Sequence, residues 1–313
     1  MVFKRIRRIA KFAAVILIVQ ALALLFLTPA GLDFIFPPVA RVNAEDFSPD
    51  GNTYAVYYDI RLEVSTADLI VLGMDAGIAE SYDLAGHFTR FVKQYNNLSA
   101  VMVELSTSQQ NLAQNVLSQT EEKAFMKRMT ILRERTGMNA DYCDYIAELF
   151  IINRTMTPIR KMDILSYAAP AEDEYVMNFE QLATMSAAER VMNAYRSTER
   201  SALCIVDCSE LVSGSEFRTG LDALAAEEGI QVMYLQVQYS GSCAEGEGHP
   251  SYRFPDYNSG PTVFFADNSK AAWFYRYYSA IAGLNRNADA VEDPLDTRYT
   301  DYYFVVTNGT AAQ

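Results

Sequence analysis

The chain has 313 residues, a formal net charge of −13, 50% hydrophobic residues and 21% charged ones. That balance excludes a disordered or fibrous chain. The surplus of acid repels phosphate, so nucleic acid and anionic lipid surfaces are poor partners for the body. The charge is divided unevenly: Lys4, Arg5, Arg7, Arg8 and Lys11 give the first eleven residues +5 with no acid, which leaves −18 for the remainder.

In chain order, residues 1–11 are a basic head, and Phe12 to Leu32 carries no ionisable side chain. Twenty-one helical residues rise about 31 Å, the thickness of a hydrocarbon core. The basic flank ahead of this span predicts a single-pass plasma-membrane anchor with a cytoplasmic N-terminus and the body outside. A cleaved signal peptide is the rival reading, although its apolar region is ordinarily shorter. Residues 33–51, with Pro37, Pro38 and Pro49, read as a linker, and residues 52–313 as one extracytoplasmic α/β domain.

Within that domain Ala67 to Gly73 is an apolar run that suits a strand buried on both faces. Ile78, Tyr82, Phe88, Phe91 and Tyr95 follow at helical spacing. Leu98 to Leu105 predicts the next strand, and helices follow at 109–117, 121–135 and 141–153. Ile159 to Leu165 predicts a third strand. Ser186-Ala-Ala-Glu189 is a capping box opening a helix. Ala202 to Asp207 predicts a fourth strand, a helix capped by 213–216 comes next, and Ile230 to Tyr239 predicts a fifth. A loop rich in Gly, Ser and Pro, long enough to suggest a role of its own, covers 239–260. A strand at 261–266, an aromatic helix at 269–284 and an edge strand at 302–307 complete the chain. This alternation predicts an α/β fold: a mostly parallel sheet with helices on both faces and a helical insertion near 106–155.

Ligands of open parallel sheets bind beyond the carboxyl ends of the strands. Those ends supply Asp75 with Glu80, Glu104, Asp163, and Asp207 with Glu210. Carboxylates so gathered bind a divalent cation or pair an acid with a base; each alone also serves as an ordinary turn or cap. Glu80 and Glu104 are the catalytic candidates, and Asp75, Asp163, Asp207 and Glu210 the ligand-binding candidates. The chain has only two histidines, His87 and His249. His87 follows Asp83 by one helical turn, which suggests an exposed histidine beside an acid. A Cys208–His249 or Ser209–His249 nucleophile pair lacks any local signature. Cys143, Cys204, Cys208 and Cys243 form no zinc motif, and outside the cytoplasm Cys208 and Cys243 are candidates for a disulfide. Trp273-Phe-Tyr-Arg-Tyr-Tyr278 reads most simply as a helix packing its rings on the sheet.

Leu72-Gly-Met-Asp-Ala-Gly-Ile-Ala-Glu80 ahead of Val103-Glu104 resembles the first motif pair of the erythromycin esterase, ChaN-like haem-binding and TraB/Tiki superfamily. Ile151-Ile-Asn153 before Lys161-Met-Asp163, and Glu189-Arg-Val-Met-Asn193 before Leu203 to Glu210, follow in the same order. The resemblance covers roughly residues 67–240. It implies a hydrolase-like fold whose members use strand-end histidines, with haem bound in one branch. Here Met74, Asp75 and Ala76 stand where Glu and His are expected, and Asp207, Cys208 and Ser209 where the other His falls. Glu80, Glu104 and Asp163 occupy matching positions. The resemblance therefore implies a pseudoenzyme-like domain that binds a ligand or envelope partner at the strand-end rim. An active esterase or metal-dependent peptidase with rebuilt carboxylates, and an inert envelope scaffold, are the alternatives. A divalent metal or haem is the only cofactor these readings suggest.

Overall fold

The computed structural model describes residues 41–43, 61–171, 178–198, 200–211, 215–240, 262–267 and 302–307, together with the isolated positions Gln20 and Ala312. The predicted span 12–32 lies outside the described residues apart from Gln20. So do His249, Cys243, the loop after residue 240 and the aromatic helix at 269–284. Among the described residues no helix is long and apolar enough to cross a membrane.

The strands are β1 (Arg41–Asn43), β2 (Leu69–Met74), β3 (Ala100–Val103), β4 (Asp163–Ser166), β5 (Ala202–Asp207), β6 (Val232–Ser240), β7 (Thr262–Asp267) and β8 (Tyr302–Thr307). The helices are α1 (Arg61–Thr66), α2 (Ala79–Tyr95), α3 (Thr107–Leu117), α4 (Glu122–Thr136), α5 (Ala140–Arg154), α6 (Phe179–Thr184), α7 (Ala187–Arg196) and α8 (Glu216–Glu228). One eight-stranded sheet has the order β1-β7-β8-β6-β2-β5-β3-β4. From β4 through β6 every pairing is parallel, β8 joins β6 in parallel, and β7 and β1 close that side antiparallel.

Strand alternation sorts the core into two layers. Ile70, Leu72 and Met74 of β2, with Val101 and Val103 of β3, share one cluster with residues of α2, α3, α4 and α5. Leu69 and Val71, with Ala100 and Met102, share the other with α7 and α8. All six residues of β2 are buried, which is why its sequence is a continuous apolar run; burying each large aliphatic side chain contributes about 2 kcal/mol. The α/β expectation, a parallel sheet with helices packed against it, therefore holds.

Local signals explain the crossovers. Ser106 and Gln109 form a reciprocal capping box at the start of α3, and Ser186 with Glu189 does the same for α7. Ser215 caps α8 through the Arg218 N–H. Two buried asparagines stitch the amino ends of the strands. Asn153 of α5 holds both the N–H and the carbonyl of Met162, each at 2.8 Å. Asn96 donates to the Val64 and Ala67 carbonyls and receives the Ser201 hydroxyl.

Several expectations change. The predicted insertion at 106–155 is the three-helix crossover from β3 to β4. The third strand does not run from Ile159: Pro158–Arg160 form a 3-10 turn and β4 begins at Asp163, because proline favours the start of a turn and donates nothing to a ladder. Residues 302–307 are an inner strand between β6 and β7. The edge belongs to Arg41–Asn43, a three-residue strand within the predicted linker and too short to leave a period in the sequence.

Candidate functional site

β3 sends its connection outward to β4, whereas its neighbour β5 sends its own back across β2 to β6. Adjacent strands whose connections depart for opposite edges leave a crevice beyond their carboxyl ends. A cleft of about 320 Å³ lies there, lined among others by Glu104, Asp207, Tyr82, Tyr142 and Tyr167. The crossover helices complete it: Gln109 comes from the first turn of α3 and Asn139 from the N-cap of α5.

Met74 and Asp207 sit in register on β2 and β5, so the two aspartates that follow or end these strands are neighbours by construction. Asp75 Oδ1 accepts the Gly77 N–H at 2.7 Å. Asp207 Oδ1 accepts the Ser209 N–H at 2.8 Å and the Ser209 hydroxyl at 2.5 Å. Each carboxylate thus closes an Asx-type turn with one oxygen. Burial, then Asp207 and Glu104, raise the Glu210 carboxyl above its ordinary range, which places these three acids in one local field. Ala312 reaches the same rim, donating its N–H to the Gly77 carbonyl at 2.9 Å.

The tyrosines are held from behind. The Tyr82 hydroxyl donates to the Ala76 carbonyl at 3.1 Å and the Tyr167 hydroxyl to the Ile205 carbonyl at 2.8 Å. Arg190 Nε of α7 donates to the Tyr167 carbonyl at 2.8 Å. Burial, then Tyr145 and Tyr82, push the Tyr142 phenol well above its ordinary value, so it stays protonated. Beneath the rim the chain approaches itself closely. A Cβ on Gly73 would stand 2.7 Å from Leu211 Cδ1, so any larger residue there forces the buried Leu211 side chain to shift.

Of the carboxylates expected at this rim, Glu104 and Asp207 line the cleft, while Asp75 and Glu210 flank it through Cys208 and Asp207. Glu80 sits in the first turn of α2 at 7% exposure and is not among the lining residues. Asp163 is a correction: it starts β4 opposite Ala100, the first residue of β3, and binds the Gln114 amide at 2.6 Å. It therefore belongs to the opposite end of the sheet. His87 is half-buried rather than exposed, and burial lowers its pKa against the pull of Glu148.

The nucleophile pairings gain nothing. Burial, with Asp207 and Asp75, pushes the Cys208 thiol up to about 12, and a protonated thiol is no nucleophile. Its disulfide candidate Cys243 and the candidate base His249 lie outside the described residues. Among the described residues no three His, Cys, Asp or Glu side chains gather closely enough to hold a metal ion. Sequence reasoning missed Tyr142, Tyr167, Gln109 and Asn139. Gln109 carries a usable signal, since it sits in the first turn of the helix that leaves β3, whereas Asn139 caps a helix that follows another helix and carries none.

The chain matches no protein-family model and no curated protein. Two solved structures are similar in fold. A Bacillus cereus protein superposes with a TM-score of 0.56 at 9% identity, over 88% of this chain and 95% of the other. A protein described as a succinoglycan biosynthesis protein does so with a TM-score of 0.56 at 7% identity, over 85% and 94%. At such identity the likeness establishes a common fold and nothing finer.

Proposed function

We propose that this is a membrane-anchored, extracytoplasmic binding domain, a divergent relative of the erythromycin esterase and ChaN-like group, that holds a hydroxyl-rich ligand at the strand-end rim. The observation that carries the reading is the cleft at the switch between β3 and β5, where Glu104 and Asp207 face the same space as Tyr82, Tyr142 and Tyr167. A concave site with mostly apolar walls and a few fixed polar groups is the usual form of a small-ligand pocket. Carboxylates accept hydroxyl hydrogens, Gln109 and Asn139 add amides, and aromatic walls suit the apolar face of a sugar-like ring. The crowding that raises Glu210 disfavours an anionic ligand. The reading rests on the sequence for its membrane topology and on the cleft for its chemistry.

A hydrolytic alternative draws on the same walls, with Glu104 and Asp207 rather than Glu80 as its acids, because these two line one cleft. A panel of neutral oligosaccharides, screened by ligand-observed NMR against the full-length chain in non-ionic detergent, separates the readings. Binding without cleavage that is lost in Glu104→Gln and Asp207→Asn supports the proposal, and cleavage lost in the same variants supports the hydrolase. Binding unaffected by either substitution refutes both. Membrane proteins co-purifying in the absence of any binding support the scaffold.

A further inference from the structure

A second cavity, of about 420 Å³, opens at the opposite end of the sheet, where α2 and α5 end and β3 and β4 begin. Arg90, Lys93 and Arg160 line it together with Asn96, Ile151 and Met156, and none of its lining residues is acidic. In a chain of net charge −13 that is a local reversal of sign.

The decisive group is Lys93. The residue is 8% exposed, and among the described residues its amine donates to the Leu98 carbonyl and enters no ion pair. A buried ammonium without a counter-charge costs folding free energy unless something neutralises it. Its surroundings add to the cost instead of relieving it: burial first, then Arg200 and Arg160, lower its pKa to about 8, so it still carries its proton at neutral pH. Arg90 is paired with Glu148 of α5, and Arg200 bonds Asn97 and the Ile159 carbonyl at 3.1 Å each. Arg160 is exposed and makes no ion pair among the described residues. Part of this charge complements the carboxyl ends of α2 and α5, but helix ends are partial charges, and among the described residues Lys93 and Arg160 have no full negative partner.

We propose that this cavity binds a phosphate group carried on an apolar body. A compact ammonium beside a forked guanidinium suits a multiply charged oxyanion. Apolar groups continue the site outward: Ile152 and Met156 line the wall together with Ile151, which is 49% exposed. The same chemistry arrives from two sources, an anionic phospholipid headgroup or a soluble phosphate ester. The inference stands independently of the reading given to the strand-end rim.

The test uses the full-length chain in non-ionic detergent with two probes: inorganic phosphate, and short-chain dihexanoyl phosphatidylglycerol below its micelle concentration. Thermal unfolding is followed against chloride at matched ionic strength. The expected result is a saturable rise in Tm that weakens about tenfold in apparent affinity in Arg160→Gln and vanishes in Lys93→Met. A response to inorganic phosphate alone identifies the soluble ester as the source, and one to the lipid alone identifies the headgroup. Arg160→Gln is a surface change that leaves the fold intact, so it remains informative if Lys93→Met unfolds. No response to either probe, or a response that Arg160→Gln leaves unchanged, overturns the proposal.

Discussion

At the carboxyl ends of the strands burial, then Asp207 and Glu104, raise the pKa of the Glu210 carboxyl, whereas at the amino ends burial, then Arg200 and Arg160, lower that of the Lys93 ammonium. A six-residue strand such as β2 is about 20 Å long, roughly twice the Debye length at physiological salt. Exposed charges at the two ends are thus largely screened from each other, and net charge describes neither end. The acid surplus that repels phosphate from the body as a whole is a fair account of the rim and a poor one of the floor.

The contrast also extends to how each end is built. The floor is tied by buried asparagines, and the rim by Asx turns and one close backbone approach. The largest expected effect breaks the floor: Asn153→Ala strands the N–H and carbonyl of Met162 and should cost about 3 kcal/mol in denaturant unfolding. It should abolish the phosphate response and leave oligosaccharide binding in the surviving folded fraction. Next comes Gly73→Ala at the rim, whose Cβ meets Leu211; a loss of about 2 kcal/mol is expected, with oligosaccharide binding weakened and the phosphate response kept.

A smaller effect sharpens the electrostatic half of the comparison. The folded-state pKa of Glu210 is raised, by burial and then by Asp207 and Glu104. The folded chain therefore holds this proton more tightly than the unfolded chain, and that contribution to stability is lost as pH rises through the raised value. Glu210→Gln should have a higher Tm than the parent at pH 7, and the two should converge below the ordinary glutamate value of 4.5. A variant less stable than the parent at pH 7 would show that the ionised carboxylate is favourably held. At the floor, phosphate affinity should fall as pH rises past about 8, where Lys93 loses its proton. The charged groups near Lys93 are Arg160, Arg200, and Arg90 with its partner Glu148.

The sheet was legible where burial writes itself into the residue pattern. The run at Leu69–Met74 and the strand at Ala202–Asp207 read correctly because both faces are covered, and Ser186 announces its helix through its cap. The carboxylates of the rim were legible for a related reason, since the end of such a run marks the end of a strand. Asp163 shows the limit of that rule: on a four-residue strand flanked by a proline turn nothing in composition distinguishes start from end. Tyr142 and Tyr167 were invisible because their place in the cleft depends on how α5 and α7 pack, not on any local period. The floor escaped notice entirely, because Lys93, Arg160 and Arg200 come from three separate connections, and only the parallel topology brings their amino-end positions together.

The most direct test of the central claim, that the strand-end cleft is the ligand site, is the oligosaccharide titration of the full-length chain by ligand-observed NMR, with Asp207→Asn and Arg160→Glu compared side by side. Asp207→Asn is expected to weaken binding about tenfold or more while Arg160→Glu leaves it unchanged. Equal binding by the parent and Asp207→Asn, or a loss in Arg160→Glu alone, would contradict the account.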